Sequence, residues 1–139
     1  MKFNSISKSA LFVLSLLLSV AGANAQTAAR AKVPFAFKVG SAQMPAGIYS
    51  IKSNAGSNVF LVRNVQTGTS ALAMAHEGSP SKETNKLIFH HYGSQYFLSG
   101  IVGDKGSQGM VFPATRQEKA LELAQAPANN VDNVEIASR

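Results

Sequence analysis

The sequence predicts an all-β domain: a six- to seven-stranded antiparallel meander forming a small barrel or sandwich, with a short C-terminal α-helix. Three observations predict it. The first is Lys86 to Val102, KLIFHHYGSQYFLSGIV, where two runs of aromatic and branched residues flank Gly93-Ser94. That pattern is a β-hairpin on a two-residue turn, and glycine at the first central position suits a type II′ turn. The second is a Gly-Ser dipeptide at Gly40, Gly56, Gly78, Gly93 and Gly106, at intervals of 16, 22, 15 and 13 residues. Each interval is roughly one strand plus its turn, so the series reads as a meander with shared turn chemistry, not as a sequence repeat. The third is Thr115-Arg116-Gln117-Glu118, a capping box that opens a helix over residues 115–125, which Pro127 ends.

Taken in order, residues 26–32 are small and polar and predict a frayed, flexible N-terminus to a β domain over 33–112. Val33 to Val39, VPFAFKV, alternates as one strand with Val33, Phe35, Phe37 and Val39 on one face. Pro34 lacks an N–H and belongs near its start or at an edge. Gly40 to Gly47 reads as a connection, Ile48 to Lys52 as a strand and Ser53 to Ser57 as a turn. Val59 to Asn64, VFLVRN, is apolar enough to be a central strand. Ser70 to His76 pairs beside it, although its alanines keep a helix open. Glu77 to Asn85 is a polar loop, and Gly100 to Gly109 a flexible hairpin loop before a short closing strand, Met110 to Phe112. Residues 127–139 are rich in Asn and Asp and predict a disordered tail, in which Val134-Glu135-Ile136 is the one stretch able to add an edge strand.

Counting outward from the turn pairs His91 with Tyr96, His90 with Phe97, Phe89 with Leu98, Ile88 with Ser99 and Leu87 with Gly100. One face then carries Leu87, Phe89, His91, Tyr96 and Leu98, the better core face. The other carries Ile88, His90, Tyr92, Gln95, Phe97 and Ser99 and is mixed in polarity.

The first 25 residues read as a processing signal. Lys2 and Lys8 precede the apolar run Ala10 to Val20, which is too short to span a bilayer, and Ala23-Asn24-Ala25 is an A-x-A cleavage site. Cleavage after Ala25 predicts an exported chain, periplasmic or extracellular, that begins at Gln26 and has no later stretch able to span a membrane. There is no cysteine, which excludes disulfides, thiolate metal sites and cysteine nucleophiles. The full chain has 13 Lys and Arg against 7 Asp and Glu; without Lys2 and Lys8 that is 11 against 7, a net charge of +4. The basic residues are scattered rather than striped among aromatics, so nucleic acid is not an expected partner. A mild preference for anionic neighbours, such as acidic envelope polymers, is.

Candidate chemistry rests on His76, His90 and His91. His90 and His91 point to opposite faces of a strand and cannot share a metal, so no metal and no cofactor is expected. His91, on the core face beside Tyr96, reads as a hydrogen-bonded core histidine. His90, Tyr92 and Phe97 are the candidate ligand-binding residues, lining a shallow surface suited to a small apolar ligand. His76-Glu77 reads as a solvated strand end, because adjacent residues rarely orient one another as a catalytic pair does. Gly-x-Ser-x-Gly is absent, and the nearest approach, Lys105-Gly106-Ser107-Gln108-Gly109, has Lys where the first glycine should be.

VPFAFKVGSAQMPAGIYSI, LIFHHYGSQYFLSGI and PATRQEKALELA together resemble a group of small exported bacterial proteins of uncharacterised function. The shared pattern is V-P-F-x-F-x-V-G…P-A-G-x-Y, then F-H-x-Y-G-x-x-Y-F-L, then a charged helix before a ragged tail. The resemblance spans most of the chain after Ala25. It implies the architecture and brings no catalytic residue with it. At the start of the helix this chain has Pro113-Ala114 where a basic residue before Thr115 would fit the pattern. The function expected is an exported, non-enzymatic β module with a ligand-binding or envelope role. The alternative is a small secreted hydrolase working through His76 or His90, which would need a cleft joining a histidine to a carboxylate and a hydroxyl.

Overall fold

A computed structural model of the chain describes residues 27–53, 57–103, 105–125 and 132–138. Among them the fold is a two-sheet β-sandwich, not a closed barrel, with one short helix near the C-terminus. A four-stranded antiparallel sheet runs in the order β1 (Thr27–Val33), β4 (Gly47–Ser53), β5 (Val59–Asn64), β6 (Ser70–Met74). The second sheet runs β11 (Asp132–Ala137), β8 (Lys86–Tyr92), β9 (Gln95–Val102), β10 (Gln108–Val111), β7 (His76–Pro80). Beside the first part of β9 lies β2 (Phe37–Val39), parallel to it, with β3 (Ala42–Met44) on its far side. Among the described residues eleven strands replace the six or seven expected, β3 lies within the stretch read as a connection, and the parallel β2–β9 contact departs from a pure meander. No helix among the described residues is long and apolar enough to cross a membrane.

The first sheet begins earlier than expected. The residues taken for a frayed N-terminus form β1, paired from Thr27 to Val33 along β4. Ala29, Ala31 and Val33 are buried while Arg30 and Lys32 are exposed. Alanine methyls carry this alternation, and their small apolar area made it weak in the sequence. The single strand expected over Val33 to Val39 is divided. Pairing with β4 stops at Val33, Pro34 has no N–H to continue the ladder, and the chain crosses to the other sheet before Phe37. Val33, Phe37 and Val39 are all buried all the same, because both sheets face one core.

Two-residue turns at Gly40-Ser41 and Gly93-Ser94 close the β2–β3 and β8–β9 hairpins. Both glycines have φ of 60°, whereas neither serine has a positive φ, the type II′ signature. Gly78-Ser79 is no turn. It lies inside β7, in the stretch expected to be a polar loop, where a Cβ on Gly78 would stand 2.9 Å from Val111 Cγ2. There the glycine serves close approach between strands rather than a bend.

The hairpin register is as expected from Tyr92↔Gln95 back to Phe89↔Leu98. Beyond it a bulge leaves Ser99 unpaired, so Ile88 faces Gly100 and Leu87 faces Ile101. The cause is spacing. Leu98 and Ile101 are three residues apart, and strict alternation would turn one of them outward. The extra residue buries both, and Ser99 Oγ donates to Ile88 O at 3.1 Å.

Residues 132–137 of the tail expected to be disordered form β11 along the free edge of β8, from Asp132↔His91 to Ala137↔Lys86. Val134 and Ile136 pack against the core. Two apolar side chains on one face and an unpaired hairpin edge outweigh the Asn- and Asp-rich composition. Between the sheets, Phe89 meets Phe35 and Phe37 edge to face at 5.1 Å each, and Phe37 meets Tyr49 at 4.9 Å.

Candidate functional site

The helix, α1 (Arg116–Gln125), lies over the second face of the β8–β9 hairpin, the face of His90, Tyr92 and Phe97. It starts where the sequence predicts. Thr115 Oγ1 accepts from the Glu118 N–H at 3.2 Å, and the Thr115 carbonyl accepts from the Lys119 N–H at 3.0 Å. Thr115→Ala is therefore expected to cost about 1 kcal/mol, read as a lower denaturant midpoint and a weaker helical signal. If both are unchanged, the cap contributes nothing.

The Glu118 side chain turns away from the capping box and into the protein. It is buried, and Oε1 accepts from His90 Nδ1 at 2.8 Å and from the Tyr92 hydroxyl at 3.4 Å. A carboxylate can only accept, so the short contact assigns the Nδ1 proton to His90 and leaves Nε2 for anything that meets the ring. At the start of the helix, the first-turn N–H groups favour the negative charge of Glu118. On the flank of the helix, Lys38 Nζ donates to Gln117 Oε1 at 2.8 Å and lies 5.7 Å from the centre of the Phe97 ring.

Tyr92 reports this environment. Burial pushes its phenol up to about 12, helped by the negative charges of Glu118 and Glu122 and by the hydrogen bond it gives Glu118. An unfolded tyrosine titrates near 10, so the unfolded chain releases this proton first. The stabilising contribution of Tyr92 is complete below about pH 10 and is lost as pH rises toward 12. Tyr92→Phe is expected to flatten the loss of stability between about pH 10 and 12, measured as urea midpoints beside the parent chain. An equal fall in both proteins would refute the assignment.

The three residues expected to line one ligand surface are thus divided. Tyr92 and Phe97 are buried beneath the helix. His90 keeps about a third of its side chain exposed (34%) and lines a groove of about 400 Å³ across the second sheet. Gly78, Gly100 and Gly109 lie along this groove, with Ile88 and Val111 as apolar walls. Phe97 borders a smaller groove of about 220 Å³, shared with Lys38, Thr115 and Leu72. His91 is not the hydrogen-bonded core residue expected. It is half-buried and stacks on Tyr96 at 4.2 Å, which stacks on Phe35 at 3.9 Å.

His90 and His91 do face opposite sides of β8, one toward the helix and the other onto the Tyr96 ring. Among the described residues no three metal-ligating side chains converge. His76 and Glu77 are neighbours at the start of β7, both exposed. Sequence reasoning missed Glu118 as the partner of His90. Its only trace was the position of an acid three residues after Thr115, which the capping box already explained.

A scan against family models, a search of curated proteins and a search of solved structures each returned no match.

Proposed function

We propose that the chain is an exported, non-enzymatic β-sandwich module that acts through its surfaces, in the periplasm or outside the cell. The observation that supports this is the filled interior. Phe37, Met44, Tyr49, Ile51, Val62, Leu87 and Phe89 occupy the space between the sheets with exposures of 0–1%. Side chains sealed from solvent to this degree favour recognition at the outer faces and grooves over binding between the sheets. Export rests on residues 1–25, outside the described residues, and on the likeness of the strand, hairpin and helix motifs to small exported bacterial proteins. The test is fractionation of expressing cells followed by intact mass. The expected product lies outside the cytoplasm and begins at Gln26. A protein that stays in the cytoplasm, or keeps Met1 to Ala25, overturns the reading.

One observation favours a second reading, a small hydrolase. Glu118 holds His90 by Nδ1 beside an open groove, which is how a general base is oriented. Against it, one hydroxyl of that groove, Ser99, is committed to the Ile88 carbonyl. Hydrolysis of a simple ester that disappears in His90→Asn and falls in Glu118→Gln would support the enzyme. Turnover equal to buffer would leave the surface module.

A further inference from the structure

We propose that the outer face of the four-stranded sheet docks on an anionic lipid surface, with Arg30, Lys32, Lys52 and Arg63 at the headgroups and Leu72 and Met74 in the apolar layer beneath them. The proposal deepens the reading of a surface-acting module by naming the face and its partner. Charge is ordered along the chain. All seven acidic residues lie at or beyond Glu77, so the first 76 residues contain basic side chains and no acid.

Strand alternation then sorts the cations. In β1 and β4 the inward positions are Ala29, Ala31, Tyr49 and Ile51, which leaves Arg30, Lys32 and Lys52 outward. The register places Arg30 opposite Ser50 and Ser50 opposite Arg63, so two arginines share one row two strands apart. The next row runs from Lys52 through Leu61 to Leu72, and the last pairs Val59 with Met74. Among the described residues, no ion pair or hydrogen bond engages the side chains of the four cations. Among the described residues the charges of this face are thus all basic, and they keep their field for a partner.

The apolar residues decide which partner. Leu72 and Met74 are 70% and 71% exposed on β6, an edge strand whose inward positions hold only Ala71 and Ala73. Large apolar side chains on an open edge promote aggregation unless something covers them. A soluble polyanion would satisfy the cations and leave Leu72 and Met74 in water. A bilayer surface offers headgroup phosphates and, a few ångströms deeper, the acyl boundary. The sheet is about 14 Å across, wide enough for both halves of the face to touch together.

The test is sedimentation of the processed chain with vesicles of equal parts phosphatidylglycerol and phosphatidylcholine, and with phosphatidylcholine alone. Binding is expected only to the anionic vesicles and should fall with added salt. Each cation removed should weaken partitioning about fivefold, so Lys52→Gln with Arg63→Gln should lose about 25-fold. Leu72→Ser with Met74→Ser should lose about tenfold, with the unfolding midpoint retained because both side chains are exposed. Three results overturn the proposal: no binding to anionic vesicles, binding unchanged in both double variants, or capture by soluble polyphosphate that the Leu72 and Met74 changes leave intact. Retention by an isolated cell-envelope fraction without vesicle binding overturns the lipid face but not the surface module. Loss of both overturns the two together.

Discussion

Replacing Phe89 by alanine is expected to lower the unfolding free energy by about 3–5 kcal/mol. Phe89 is fully buried on β8, inside the edge strand β11 of the second sheet. It stands between Leu98 on β9 and Val134 on β11, with the edges of Phe35 and Phe37 against its ring. Truncation removes the burial of a whole ring and opens a cavity that these neighbours can fill only in part. For a small domain held by about 5–15 kcal/mol in total, that is a large share of its stability. Urea unfolding of the variant beside the parent measures it. A loss under about 1 kcal/mol would mean that the ring does not lie in the core.

His90→Ala is expected to cost about 2 kcal/mol, less than Phe89→Ala but well above the effect of an ordinary surface histidine. The loss arises at Glu118. Its carboxylate is buried, and without His90 it keeps only the long bond from Tyr92. Partial exposure of His90 lets water replace some of what is lost, which holds the cost below that of a fully sealed pair. A double-mutant cycle isolates the contact: His90→Ala, Glu118→Gln and both together, unfolded in urea. The double variant should lose less than the sum of the single losses, because removing both partners leaves no stranded charge. Strict additivity would show that the 2.8 Å contact contributes nothing, and a His90→Ala loss above that of Phe89→Ala would reverse the assignment of the two faces.

The two variants also mark how far the sequence reached. The register from Tyr92 to Phe89 was legible because a two-residue glycine turn and a period of two leave a single pairing. The bulge at Ser99 was less legible, since it answers to the need to bury Leu98 and Ile101 together. The second face, read as a shallow ligand surface, is largely covered for a reason outside the hairpin. The helix that covers Tyr92 and Phe97 comes from residues 116–125, and its sequence shows only a weak apolar side. It is held by a carboxylate on a histidine, and such a contact leaves no periodic signature.

Legible from local chemistry were the all-β class, the type II′ turn at Gly93, the core face of Phe89 and Leu98, and the helix start at Thr115. Each is a local matter of φ, alternation or capping, decided within a few residues. Long-range pairing was needed to make strands of β1 and β11, to place a change of sheet at Pro34, to bring Glu118 to His90, and to gather four cations with Leu72 and Met74 on one outer face. These follow from pairing between segments far apart in the chain. A strand edge or a buried carboxylate acquires its partner only when such segments meet, and the energy that orders them is absent from either segment alone.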